Sequence, residues 1–436
     1  METRPDVPEN NRSAAPAPAA PIAPTPTDGG SVRPAKQPKA AKKKKNQIGK
    51  PPAVLWFFGY CAMKVVYSLK YRVRVDRSAV RGVKGPALIL APHVSGKDHV
   101  LTALALYPNR PTYVLSEHFM AKPFLRRVLT MIHAIPKKMF CSDSRSVLNI
   151  IRAVREGNMV VLFPEGRLTW YGRSLALTAG TADLVRKLGV DVYTVISDGA
   201  GMTFPKWAAA PRRGKIRVRT EKLLSGEEAK ALSSAEIDAL LTERLRHDAE
   251  LDSPGVKFLT RDTTAGLDGI IWRCPVCGAE DRLIAGGGRV VCPDCGLSAV
   301  LDEYGKLTGL PAGTGIDSVA DWYEACAASL DLNVPLERKC EVGATDADGY
   351  MRRSVGEGVM RLDREKFTFR GTVFGEEVDF SVAADKLVAF PITVADHVDV
   401  YINNRLHYLS PMPDKREAVK FVAYLDRVNA KQKQTK

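Results

Sequence analysis

The spacing of apolar and polar positions changes several times along this chain, and each change marks an element. Residues 1 to about 50 carry no periodic apolar face. Ala14 to Pro26 is nearly all Ala and Pro, and Lys42 to Lys45 is a run of four lysines. A segment of this kind buries too little surface to offset its ordering entropy, so residues 1–50 are expected to form a disordered basic tail. Ala53 to Tyr67 is then apolar except for Lys64 and is rich in Trp and Phe, with Pro51 and Pro52 placed to start a helix. A helix over 51–70 follows from this, too short and too interrupted to span a bilayer. A basic flank beside a Trp/Phe-rich helix is the pattern of an interfacial anchor; the same residues also suit a helix packed on its own core.

From residue 71 to about 250 strand and helix patterns alternate. Tyr71 to Val75 alternates like a half-buried strand, and Ala87 to Ala91 is a short apolar run feeding a loop. Val100 to Tyr107 suits a helix, and Thr112 to Leu115 a strand. Ser146 to Glu156 carries Val147, Ile150, Ile151 and Val154 at helical spacing, with Gly157 as its C-cap. Met159 to Phe163 is a strand, Ser174 to Leu188 a helix stopped by Gly189, and Val190 to Ile196 a further strand. The alternation argues for an α/β fold with a mainly parallel sheet flanked by helices, whose ligands sit beyond the carboxyl ends of the strands.

Composition narrows the function classes. The 436 residues carry a net charge of +15, which favours an anionic partner: nucleic acid, anionic lipid or a phosphorylated small molecule. Residues 1–50 hold ten Lys/Arg and four Asp/Glu, a net of +6, and an anionic leaflet attracts such a segment by about 1 kcal/mol per basic residue. The N-terminus lacks a basic-then-apolar start, so no secretory signal is expected. Of the eight cysteines, four sit in two CPxCG knuckles and four are scattered, which suits a reducing cytosol.

Two strand ends carry candidate chemistry. In Pro92-His93-Val94-Ser95-Gly96-Lys97-Asp98, a base and an acid stand five residues apart. On one regular helix these would lie roughly 140° apart around the axis. Ser95 to Asp98 matches the S-x-x-[DE] capping box, so a helix is expected to begin at Ser95. His93 then lies on the preceding loop and folds back onto Asp98, whose carboxylate holds the imidazole's tautomer. Asp98 also suits a purely structural role as the capping-box acid. The second strand end, Phe163-Pro164-Glu165-Gly166-Arg167, sets a carboxylate and a guanidinium on a sharp turn, where Gly166 permits close backbone approach. Residues 172–176 miss the last glycine of a G-x-S-x-G nucleophile elbow, and nothing in the sequence marks Cys141 as activated.

The H-x4-D box followed about 65 residues later by F-P-E-G resembles the signature of glycerolipid acyltransferases, those that acylate lysophosphatidic acid and lysophospholipids. The resemblance covers roughly residues 52–225. It implies that His93 is the general base on the acceptor hydroxyl, that Asp98 orients it, and that Glu165, Gly166 and Arg167 shape the acceptor site. It implies acyl-CoA or acyl-ACP as donor. Pro92 stands where that family usually has Asn, and Met139 where it has a phosphate-gripping arginine. Lys137, Lys138 and Arg145 are the nearby candidates for that phosphate, the lysines as point charges without arginine's bidentate geometry.

Cys274, Cys277, Cys292 and Cys295 form two C-x2-C knuckles separated by 14 residues. This spacing fits a tetrahedral zinc site with four thiolates and no open position, hence a structural one. Leu283-Ile284 and residues 289–291 fit a hairpin, and residues 268–300 resemble a zinc ribbon. Residues 316–436 read as a helix over Ile316 to Leu330, then strands at 358–362, 366–370, 377–382, 398–402 and 406–409. A last helix, capped by Asp414, carries Phe421, Val422, Leu425 and Val428 on one face. An antiparallel β-domain closed by a helix resembles the pleckstrin-homology or GRAM type.

These readings converge on a cytoplasmic enzyme, peripheral at the inner face of the membrane. It would move a fatty acyl group onto the hydroxyl of lysophosphatidic acid or a lysophospholipid at an anionic lipid surface. Two alternatives stay open at this point. One is a non-catalytic lipid-binding scaffold on the same fold, against which the presence of both His93 and Asp98 argues. The other is a nucleic-acid-binding zinc-ribbon protein, against which the placement of the longest basic run in the tail, away from the ribbon, argues.

Overall fold

The computed structural model describes residues 48–139 and 143–434. The expectations for the basic tail before Ile48, including Lys42–Lys45, and for Cys141 lie outside the described residues.

The first sheet takes seven strands: β1 (Val73–Val75), β2 (Ala87–Leu90), β3 (Thr112–Ser116), β4 (Ile135–Lys137), β5 (Met159–Leu162), β6 (Asp191–Asp198) and β7 (Ile216–Leu224). Their order is β1-β7-β6-β2-β5-β3-β4, parallel except for the β6–β7 pair. The central strands are apolar throughout because both faces are covered. Alternate residues enter opposite core layers: Ile89 and Val161 pack on one side, Leu88, Leu90, Val160 and Leu162 on the other. Among the described residues eight α-helices accompany this sheet: α1 (Ala53–Tyr71), α2 (Asp98–Leu106), α3 (Pro123–Met131), α4 (Ser144–Arg155), α5 (Thr181–Leu188), α6 (Ala200–Thr203), α7 (Gly226–Ala231) and α8 (Ser234–Arg244).

Helix α1 starts directly after Pro52 and ends at Arg72, which takes a left-handed conformation. It buries only Tyr60, Tyr67 and Tyr71. Tyr60 stacks on Tyr107 with ring centroids 3.7 Å apart, and Tyr71 meets Phe204 edge-on at 4.7 Å. The opposite side leaves Val54, Phe58, Val65 and Leu69 in the open, Phe58 at 65% and Leu69 at 75% exposure. No helix among the described residues is long and apolar enough to cross a membrane.

A second, four-stranded sheet has the order β11-β10-β9-β8, with β8 Ile284–Gly286, β9 Arg289–Val291, β10 Ser298–Leu301 and β11 Leu307–Thr308. Gly287 and Gly288, at φ +62° and +76°, make the two-residue turn that joins β8 to β9. That positive-φ pair matches the right-handed twist of a hairpin and strongly favours glycine.

The third sheet is antiparallel, in the order β15-β14-β13-β12-β18-β17-β16. Its strands are β12 (Leu336–Thr345), β13 (Met351–Leu362), β14 (Lys366–Val373), β15 (Glu376–Ala383), β16 (Ile392–Thr393), β17 (His397–Ile402) and β18 (Arg405–Met412). Helix α9 (Val319–Ala328) precedes it, and α10 (Ala418–Gln434) closes it with Phe421, Val422, Leu425 and Val428 all buried. The architecture is therefore a mainly parallel α/β sheet, a small antiparallel sheet carrying the cysteine cluster, and a C-terminal antiparallel sheet with a final helix.

Two local expectations are corrected. The helix read over Ser174 to Leu188 begins only at Thr181. Residues 174–180 are instead laid across the Pro164–Gly166 turn, because the backbone N–H groups of Leu175 and Thr178 donate to the Glu165 carboxylate and the Pro164 carbonyl. The helix expected to begin at Ser95 begins at Asp98. In a capping box the serine oxygen accepts from the backbone N–H three residues on. Here Asp98 N–H donates to the Ser95 carbonyl, closing a turn, and the Ser95 hydroxyl donates to the Asp98 carboxylate.

Contacts far apart in sequence join the sheets. The Arg173 guanidinium meets Asp248, Asp321 and Glu324 at 2.7 to 2.9 Å. Arg126 donates to the carbonyls of Asp348 and Gly349 in the β12–β13 turn and lies over the Tyr350 ring at 4.0 Å.

Candidate active site and metal centre

Strand register brings the two sequence motifs together. β2 and β5 are parallel neighbours paired Ala87 to Met159 and Leu90 to Leu162. His93 and Glu165 each lie three residues beyond those last pairs, so they leave the sheet side by side at its carboxyl end. The His93 N–H donates to the Glu165 carboxylate at 3.0 Å, and Leu175 N–H donates to its other oxygen at 2.9 Å. Glu165 thus bridges the two loops. Burial, the largest influence, pushes its carboxyl above the usual carboxylate range, while the two N–H donors and His93 pull it back. Gly166, at φ +75°, ends the turn with its N–H donating to the Phe163 carbonyl at 3.1 Å.

The His93 ring contacts Asp98 through Nδ1, 2.9 Å from Oδ2. Asp98 is buried, and Ser95 holds it from two directions: N–H to Oδ2 at 2.9 Å and Oγ to Oδ1 at 2.5 Å. A carboxylate with both oxygens occupied is fixed in place, and it fixes the imidazole in turn. The Phe163 ring stacks on His93 at 4.5 Å, leaving the side chain 24% exposed. With Nδ1 committed to Asp98, Nε2 is the nitrogen free to meet another molecule.

The remaining predicted residues sit apart from this pair. Arg167 points to α10: its Nη2 meets Asp426 Oδ2 at 2.5 Å and its guanidinium lies over Trp170 at 4.8 Å, with 11% of the side chain exposed. Lys137 ends β4, three strands from β2, which at about 4.8 Å per strand is roughly 14 Å from the His93 strand. Its ammonium is half-buried, which lowers its proton affinity, and Asp143 opposes that effect. Lys138 is turned onto the C-terminal sheet, donating to Asn404 and lying 5.7 Å from the Tyr401 ring centroid. Arg145 is exposed at the start of α4. Sequence reading missed the Glu165 bridge, the Phe163 stack and the Asp426 partner. The parallel register carries the first two; Asp426 lies 259 residues from Arg167 and has no local signal.

Cys274, Cys277, Cys292 and Cys295 are brought together, with all four Sγ atoms within 4.8 Å of one another. Cys274 and Cys292 are buried, the other two exposed. The Cys274–Cys295 and Cys277–Cys292 separations are both 3.7 Å. A disulfide needs about 2.05 Å. A tetrahedron with Zn–S bonds of about 2.3 Å has edges of about 3.8 Å. The donor set and spacing therefore fit a four-thiolate metal site such as zinc.

Residues 70–198 match the family model described as Acyltransferase. Among solved structures, the chain is similar to the crystal structure of the 1-acyl-sn-glycerophosphate (LPA) acyltransferase PlsC from Thermotoga maritima. The two share 17% identity with a TM-score of 0.37, over 44% of this chain and 77% of that one. The matched stretch includes β2, β5 and the paired loops that hold His93, Asp98 and Glu165, and it makes residues 70–198 of this chain an acyltransferase domain.

Proposed function

We propose that the protein transfers a fatty acyl group from acyl-CoA or acyl-ACP to the free hydroxyl of lysophosphatidic acid or a lysophospholipid at a membrane surface. The observation that carries this reading is the His93 Nδ1 to Asp98 contact of 2.9 Å, backed by the doubly held Asp98 carboxylate. His93 Nε2 takes the proton from the acceptor hydroxyl as its oxygen attacks the thioester carbonyl. The C–O bond forms, the C–S bond breaks, and the departing thiolate takes the proton from His93. A thioester already has a good leaving group, so this path needs no covalent enzyme intermediate. Glu165 and Gly166 shape the wall opposite His93. Lys137, Lys138 and Arg145 remain the candidates for the acceptor's phosphate, with Arg167 a further one.

Four cysteines with no open coordination position suit a structural zinc, which would tie the two knuckles of the small sheet together. The C-terminal sheet, two meanders joined through β12 and β18 and closed by α10, supports the pleckstrin-homology-like reading of residues 316–436. A panel of lysophosphatidic acid, lysophosphatidylethanolamine, lysophosphatidylglycerol and glycerol 3-phosphate, each offered one radiolabelled acyl-CoA and then acyl-ACP, tests the reaction. Labelled ester on at least one acceptor is expected; thioester consumption without any esterified product would remove the reading.

The open face of α1, with Val54, Phe58, Val65 and Leu69, supports attachment of the protein to the lipid surface. Replacing Phe58 and Leu69 together by glutamate removes apolar area and adds charge where headgroups would sit. Vesicle flotation is expected to show at least about a tenfold loss of binding, since each buried CH₂ contributes about 0.8 kcal/mol. Unchanged flotation of the double variant would place the attachment elsewhere.

A further inference from the structure

A cleft with about 500 Å³ of empty space, counting its open mouth, is bounded by three parts of the chain. The acyltransferase domain supplies Val94 and Thr169, the small sheet supplies Leu301, and α9 supplies Val319. Arg212 is the unusual member of its lining. It is 1% exposed, and among the described residues no carboxylate lies within ion-pair distance of it. One guanidinium nitrogen, Nη2, donates to the Thr263 carbonyl at 2.8 Å, and the Trp207 ring lies 5.0 Å from the guanidinium carbon. Among the described residues Nε has no hydrogen-bond partner, and neither has Oγ1 of Thr169, which is equally buried in the same lining.

Burying a cation without a counter-ion is costly, and proteins normally pair it. Burial alone brings this guanidinium down to about 10, an indication of how far it is removed from water. The two carboxyls in the lining do not neutralise it. Asp248 is held by Arg173 at 2.9 Å, and burial, followed by Asp248 and Asp321, raises Glu250 to about 7. Lys206 also lines the cleft; burial lowers its proton affinity, and the Asp399 carboxylate opposes that. We propose that this cleft is a binding site for a small phosphate-class oxyanion, gripped by Arg212 with Thr169 and Lys206. The site lies outside the His93–Asp98 pair and does not depend on the acyl-transfer reading. It adjoins that pair through Val94, the residue after His93, and through the backbone, where Thr169 N–H donates to the His93 carbonyl at 3.0 Å.

Titration of the full-length protein with inorganic phosphate at constant ionic strength, followed by phosphorus NMR line broadening, tests the proposal. Saturable binding is expected. Arg212→Met should weaken it by at least about tenfold, as expected for loss of a charge-assisted contact. Lys206→Ala, with thermal unfolding recorded alongside, should weaken it severalfold. Competition by glycerol 3-phosphate would identify a soluble phosphomonoester as the source. Competition only by vesicles containing phosphatidic acid, and not by phosphatidylcholine vesicles, would identify a lipid headgroup. Absence of saturable binding to the wild-type chain overturns the proposal, as does unchanged affinity in either variant.

Discussion

His93→Ala is expected to lower acyl transfer by about three orders of magnitude while leaving folding and metal content as they are. General-base catalysis by a positioned side chain contributes about 10²- to 10⁴-fold, which sets the size. The selectivity follows from how His93 is held. Its two main-chain hydrogen bonds, to Glu165 and from Thr169, survive in alanine. Only the ring contacts with Asp98 and Phe163 are lost, and Asp98 keeps both hydrogen bonds from Ser95. Asp98 is the poorer target for this test, since truncating it strands the buried Ser95 donors and couples activity to stability. The measurement is initial rate on the best acceptor of the panel, with thermal unfolding and bound metal recorded on the same sample. Residual activity within tenfold of wild type, in a variant that unfolds at the wild-type temperature, would show that His93 is not the base.

Much of this site was legible because its parts are short and local. Buried strands β2 and β5 announce themselves as apolar runs, and a histidine or a glutamate directly after such a run is visible at the strand's carboxyl end. The loop-then-helix placement of His93 and Asp98 also follows from local pattern, although the capping signal set the helix start three residues too early. The Asp98 carboxylate makes its half of the box by accepting from Ser95 N–H, but the Ser95 hydroxyl donates to that carboxylate and leaves Asp98 N–H to the Ser95 carbonyl, a choice no spacing rule registers. Residues 174–180 show the same limit. Their helical pattern is overridden by hydrogen bonds to Pro164 and Glu165, which precede them by 10 to 14 positions. Strand β7 was readable and unread: Ile216, Val218 and Thr220 alternate as buried positions with exposed Arg217 and Arg219. What sequence could not reach is contact between distant segments. The Arg167–Asp426 and Arg126–Gly349 pairs depend on how the C-terminal sheet seats against the first one, which no periodicity encodes.

One zinc per chain is expected by elemental analysis, and Cys274→Ser with Cys292→Ser is expected to abolish it and to destabilise more than the small sheet. These two thiols are the buried half of the cluster, so replacing them removes both ligands and packed volume. Their surroundings are shared. Cys274, Cys292, Trp272, Leu283 and Val290 belong to the same apolar core as Trp322 and Tyr323 of α9 and Phe421 and Leu425 of α10. The Trp322 indole also donates to the Arg273 carbonyl at 3.0 Å, directly beside the first knuckle. In isolated zinc-finger peptides, structural zinc contributes apparent binding energies of about 10–16 kcal/mol, and here part of the core persists without it. A loss of several kcal/mol is the expected remainder, and for a unit of this size that corresponds to a fall on the order of 10 °C in Tm. Hydrogen exchange would place the loss: residues 284–291 should lose protection first, then α9 and α10, while β2 and β5 stay protected. If the double variant kept its zinc, or lost it with Tm unchanged, the four thiolates would not be a structural centre. If instead β2 and β5 lost protection together with the small sheet, the metal would be holding the acyltransferase domain as well, and the His93 and cysteine variants would no longer report independently.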